Sequence, residues 1–139
     1  MGASQTVPKQ TYDGALARKL GADQYGMKKY VMAFLKAGPN RVKDSVVRLK
    51  LQVAHLKNIQ RLAAEGKLIV AGPFLDDQTI KGIFIFNVTT VEEARKLTAT
   101  DPAIKAGSLV MELHPWYSSA ALITIPATHA KIEKKNITD

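Results

Sequence analysis

The run Leu68-Ile69-Val70-Ala71-Gly72-Pro73, followed after a turn by Gly82-Ile83-Phe84-Ile85-Phe86, decides the fold. Both segments are short and rich in β-branched or aromatic residues, and the acidic tip Asp76-Asp77 separates them. They therefore read as two consecutive strands joined by a turn, with no helix between them. Upstream, Leu49, Val53, Leu56, Ile59 or Gln60, and Ala63 recur at helical spacing. This predicts a long helix, capped by Asn40 or Asp44 and ended by Gly66. Before it, Tyr30-Val31-Met32-Ala33-Phe34-Leu35 predicts a strand over 28–36, closed by Gly38-Pro39-Asn40. Downstream, Thr89 or Thr90 followed by Glu92 and Glu93 opens a second helix through Ala94 and Leu97. Asp101-Pro102 begins a further helical turn ending at Gly107, and Leu109 to Trp116 forms a fourth strand. The order strand, helix, strand, strand, helix, strand is that of a ferredoxin-like βαββαβ unit, an α+β fold with an antiparallel sheet.

The flanks extend this core, giving an expected division into residues 1–25, 26–118 and 119–139. In the first segment Leu16, Ala17 and Leu20 share one face of a short helix that Gly21 stops. The last segment is an apolar patch, Ala120 to Ile125, followed by a charged tail. The first three strands are apolar on both sides, whereas two helices can cover only one face of a four-stranded sheet. Each large side chain on the other face contributes roughly 1.5–3 kcal/mol if buried. A second copy packed sheet to sheet is the economical cover, giving a homodimer or a higher oligomer; the alternative is that the two extensions fold back over the sheet.

Composition narrows the function classes. A chain of 139 residues makes one domain, and 46% hydrophobic with 23% charged residues is the balance of a soluble globular protein. There is no Cys, so thiolate nucleophiles and cysteine metal sites drop out. The apolar runs are far shorter than the roughly 20 residues needed to span a bilayer, so no membrane partner is expected. Met1-Gly2 is compatible with a start codon or with a leader already removed, so cytoplasm and periplasm both stay open. Twenty Lys+Arg against twelve Asp+Glu leave a formal +8, but the cations are dispersed and aromatics make up only 6%. That pattern does not favour nucleic acid; a mild preference for small anionic molecules fits it better.

Candidate chemistry rests on few residues. His55 lies within the long helix, one turn from Leu51 and Ile59, and alone reads as a core-edge histidine. Asp101 before Pro102 is what helix capping alone predicts. His114 shares a strand face with Val110, Glu112 and Trp116, and His129 sits in the tail. Gly72-Pro73 reads as turn punctuation. No pair of histidines has the spacing of a helical metal site, and neither a nucleophile elbow nor a phosphate or dinucleotide loop is present. No metal or cofactor is called for.

Taken together, the features carry a resemblance. His55-Leu56-Lys57-Asn58-Ile59-Gln60-Arg61-Leu62, Glu65-Gly66-Lys67-Leu68, Ala71-Gly72-Pro73, Gly82, Glu92-Glu93-Ala94, Thr100-Asp101-Pro102, Ala106-Gly107 and Pro115-Trp116 keep an order and spacing that resembles the YciI-like (YCII-related) family over about residues 28–118. The resemblance implies a dimeric α+β barrel, related in fold to muconolactone isomerase, and a His–Asp pair as active site. By position these are His55 and Asp101, with Gly72, Pro73, His114 and Trp116 as candidate substrate-binding residues. Members with assigned chemistry act on small cyclic, often chlorinated aromatic-derived compounds. This chain departs from the pattern at Ala103, where members often carry an aromatic, and in its two extensions. The expectation is a small cofactor-independent lyase or isomerase acting on a small-molecule ligand; the other class is a barrel that binds or senses such a ligand without turnover.

Overall fold

The strand Met27–Ala37 (β1) sits at the centre of the sheet because its residues are apolar on both sides and can be buried from both faces. Residues 11–139 are described by the computed structural model; residues 1–10, the start of the N-terminal extension, lie outside them. Leu68–Pro73 (β2), Ile80–Phe86 (β3) and Leu109–Ser119 (β4) complete a four-stranded sheet of order β2-β3-β1-β4 with every pairing antiparallel. Pro115 is tolerated within β4 because that strand lies at the edge, where a missing N–H need not break a ladder. The strand therefore runs past Trp116 to Ser119, which still pairs with Met27.

One sheet face is covered by helices. Val31, Ala33, Leu35, Phe84 and Phe86 pack against Leu62 of Ser45–Ala64 (α2) and against Ala94 and Leu97 of Val91–Thr98 (α3). Asp44 caps α2, accepting from the Val46 and Val47 amides at 2.8 and 3.3 Å. Asn40, the other candidate cap, instead donates to the Ala106 carbonyl at 3.1 Å. Thr90, not Thr89, caps α3 through the Glu93 amide. The inward face of α2 differs from the expected stripe: Leu49 is 65% and Val53 41% exposed, and Ala63 is exposed too. Leu56 and Ile59 of that stripe do face inward, joined by Leu51, His55, Asn58 and Leu62. Two polar residues, His55 and Asn58, interrupt the buried face, so apolar spacing alone set the stripe partly off the inward side.

The other sheet face is partly covered by the chain itself. Tyr30, Ile69 and Ile85 are buried beneath Leu122 and Ile123, which belong to the 3-10 turn Ala120–Thr124. The Tyr30 hydroxyl donates to the Ser119 carbonyl at 2.8 Å and fixes the exit of that turn. Gly14–Leu20 (α1), stopped at Gly21 as the sequence predicts, packs on the same turn. Ile125–Ile132 (α5) packs on the edge strand β2, and the tail then reaches α2, where Gln60 donates to Asn136 and to Thr138 Oγ1. The extension thus wraps from the open face, round β2, to the helical side. Met32 and Phe34 remain half-buried and Val110 41% exposed on the uncovered part, beside a polar row of Lys36, Glu112 and His114. Among the described residues no helix is long and apolar enough to cross a membrane.

Candidate active site

The site begins with a gap between α2 and the sheet. The first half of α2 is mostly exposed, and the strand ends beneath it carry small residues: Ala37, Gly38, Ala71, Gly72 and Gly82. A cavity of about 580 Å³ results, within the range of small-molecule sites. Leu35, Leu51, Leu56, Ile59 and Phe84 give it apolar walls. Gly82 allows the close β2–β3 approach that forms its floor: a Cβ there would lie 2.6 Å from the Gly72 carbonyl oxygen. Gly38 is needed for a similar reason, since a Cβ would overlap the carbonyl oxygen of Gly107. This contact, with hydrogen bonds from Gly38 N to Ser108 O and Asn40 N to Gly107 O, pins the loop after β1 to the turn before β4.

Two elements bring His55 and Asp101 together. His55 projects from the middle of α2, and Asp101 is the N-cap of the short helix Pro102–Lys105 (α4). His55 Nδ1 lies 2.6 Å from Asp101 Oδ2, while Asp101 Oδ1 accepts from the Ala103 amide at 2.9 Å. One carboxylate thus acts both as cap and as partner, using a different oxygen for each. The Asp101 side chain is 1% and that of His55 13% exposed. Phe84 stacks on the imidazole, with centroids 6.0 Å apart and planes 16° from parallel, and fixes the ring plane. A carboxylate only accepts, so the pairing assigns the proton to Nδ1 and leaves the lone pair on Nε2. No buried side-chain nitrogen or oxygen of the described residues lacks a partner, so Nε2, which has none among them, is reachable from the cavity that His55 lines.

Asn58, one turn beyond His55, is buried and bridges elements: its oxygen accepts from Arg61 at 2.9 Å and from Thr100 at 3.3 Å. Thr100 adjoins Asp101, so this bond ties the pair's two carriers together. Gly72 and Pro73 line the same cavity as His55. His114 and Trp116 do not. They lie on the opposite sheet face, which the period-two reading of β4 cannot distinguish from the helical side. His114 bonds Glu112 at 2.7 Å and meets the edge of Phe34, while Trp116 packs on Tyr30 and borders a separate hollow of about 290 Å³. Lys36, together with His114, holds the Glu112 carboxyl below the usual carboxylate range.

Sequence reasoning missed several lining residues. Arg41, Arg48 and Lys81 stand at the cavity, as does Ile137 of the C-terminal tail; Ala103, the departure noted in the sequence, lines it too. The spacing of Arg48 and His55, seven residues on one helix, was the signal that could have found the first of them. Among the described residues, no group of three or more His, Cys, Asp or Glu converges to hold a metal.

No curated protein matches the chain. Among solved structures it is similar to 5-chloro-2-hydroxyhydroquinone dehydrochlorinase (TftG) from Burkholderia phenoliruptrix AC1100, in complex with 2,5-dihydroxybenzoquinone. The two share 23% sequence identity, over 64% of this chain and 93% of that one, with a TM-score of 0.47. The YCII-related domain matches residues 29–117, a span that holds both His55 and Asp101. That is well over half of the sequence, and the chain belongs to the YCII-related family.

Proposed function

We propose that the protein is a small enzyme in which His55 is the general acid/base for a lyase or isomerase step on a small cyclic or aromatic-derived compound. The observation that carries this reading is the 2.6 Å contact between His55 Nδ1 and Asp101 at the wall of an apolar cavity that His55 lines, which leaves Nε2 as the ring nitrogen free for a ligand. Asp101 is the positioning residue: it selects the tautomer and stabilises the imidazolium once a proton has arrived. Nε2 takes a proton from a hydroxyl or an acidic carbon of the substrate. The electron pair left behind either expels a leaving group, completing an elimination, or is protonated at another carbon by the imidazolium, completing an isomerisation. Either route balances with no oxidant or reductant. Positioned proton transfer of this kind contributes about 10²–10⁴-fold to rate.

A second copy of the chain is the partner in this reading. The C-terminal turn covers only the Tyr30 end of the open sheet face, and the remaining Phe34 and Val110 surface supports sheet-to-sheet pairing.

The test is turnover of a panel of chlorinated hydroquinones and unsaturated lactones. Wild type is expected to convert at least one, and His55→Ala, with an unchanged circular dichroism spectrum, to lose about 10²–10⁴-fold. Full activity in His55→Ala would remove the base assignment. Tight binding with no turnover by wild type would instead make the cavity a ligand-binding site without chemistry.

A further inference from the structure

We propose that Arg41 and Arg48 form a carboxylate clamp at the mouth of the His55 cavity, so that its ligand is a small ring compound carrying a carboxylate. The proposal rests on the reading of this cavity as the substrate site and adds the substrate's charge. Both arginines line the cavity, and neither side chain makes an ion pair or hydrogen bond among the described residues. The third cation at this cavity, Lys81, is by contrast engaged with Asp77 at 2.9 Å, as Lys36 is with Glu112 and Arg61 with Glu65 elsewhere. Among the described residues no Asp or Glu lines the cavity; Asp101 lies behind His55, with both oxygens occupied. Two arginines without protein partners among the described residues therefore stand beside an apolar well.

The two arginines are placed by different means. Arg48 shares the inward-turning face of α2 with His55, about 10 Å further toward the helix N-terminus. Arg41 follows the loop that Gly38 and Asn40 pin to the Gly107 turn, so its backbone is held at the rim. Free guanidinium groups bind carboxylates in a two-point, planar mode that lysine cannot reproduce. A carboxylate held there would leave the ring of the ligand against walls that are apolar and that include Phe84, in the cavity that His55 also lines. The clamp would thus fix which ring atom faces the base, beyond adding affinity.

The test compares 2-hydroxybenzoate with its neutral analogue 2-hydroxybenzamide by calorimetry and by perturbation of the His55 ring resonances. Wild type at low salt is expected to bind the carboxylate at least about tenfold more tightly, with the margin shrinking as added salt screens the mouth. In the Arg41→Gln/Arg48→Gln double variant the margin disappears while 2-hydroxybenzamide binds as before; both side chains are exposed, so the fold is expected to persist and thermal melting checks it. Equal affinity of wild type for the two probes, or an undiminished preference in the double variant, would overturn the clamp; if both probes still perturbed His55, the cavity would remain the site. Failure of both probes to bind at millimolar concentration would overturn the clamp and, through silent His55 resonances, count separately against the cavity as a site for small rings.

Discussion

Replacing Asp101 by Asn removes one charge while keeping nearly the same shape, and the two bonds of this side chain set the consequence. Oδ1 holds the Ala103 amide at 2.9 Å and would remain an oxygen, since an amide nitrogen cannot accept there. The other branch then becomes an NH₂ group facing His55 Nδ1, where a carboxylate oxygen now stands at 2.6 Å. A donor at that position forces the ring proton to Nε2, so the nitrogen facing the cavity is no longer a base. Activity should fall by about 10²–10⁴-fold. Stability should fall less dramatically, by about 1.5–3 kcal/mol, the range for a lost charge-assisted hydrogen bond. His55→Ala should cost more, about 3–5 kcal/mol, because it strands the fully buried carboxylate with a single remaining donor. Urea denaturation of the two single variants and the double variant measures these costs and the coupling between them. If Asp101→Asn melted within about 0.5 kcal/mol of wild type and kept its turnover, the inference that this carboxylate sets the imidazole tautomer would be refuted.

Neighbouring contacts carry consequences of their own. Tyr30→Phe deletes the bond to the Ser119 carbonyl and should cost about 1–2 kcal/mol in urea denaturation; no loss would mean that the bond does not hold the C-terminal turn. Burial keeps the Tyr30 hydroxyl above the ordinary phenol value of 10.0, so its contribution is complete below that pH and is lost as pH rises beyond it; Tyr30→Phe should flatten the alkaline limb of a stability–pH curve. Gly82→Ala drives a methyl group into the Gly72 carbonyl and should cost about 1–3 kcal/mol, whereas Gly72→Ala meets nothing within 4 Å and should melt like wild type; equal melting temperatures for the two would contradict the close approach. Sedimentation velocity should report about twice 15.2 kDa for wild type and a monomer for Phe34→Glu; monomeric wild type would mean that the C-terminal turn suffices as cover.

The strands and their order were legible because alternating and continuous apolar runs, punctuated by Gly38-Pro39, Gly66 and Asp76-Asp77, are local signals. The inward face of α2 was not, since His55 and Asn58 occupy positions that a purely structural helix would fill with Leu or Ile. Polar side chains had broken the very pattern that marks a core. The His55–Asp101 contact joins positions 46 residues apart, and no spacing rule predicts such a meeting; it was visible only through family resemblance. His114 and Trp116 were placed on the correct strand and share a face, yet a strand's period of two says nothing about which face looks toward the helices. Arg41 and Arg48 were lost among dispersed surface charge, because their significance comes from the cavity beside them. The wrap of the C-terminal extension depends on Tyr30, Gln60 and β2, contacts that apolar content alone does not specify.

Nitrogen-15 spectroscopy of the imidazole of His55 tests the central claim most directly. A ring with its proton on Nδ1, bonded to Asp101, and a bare Nε2 whose resonance moves when a ring compound is titrated in is the expected result. A proton on Nε2 in the free protein, or an Nε2 resonance indifferent to every ligand that binds, would contradict it.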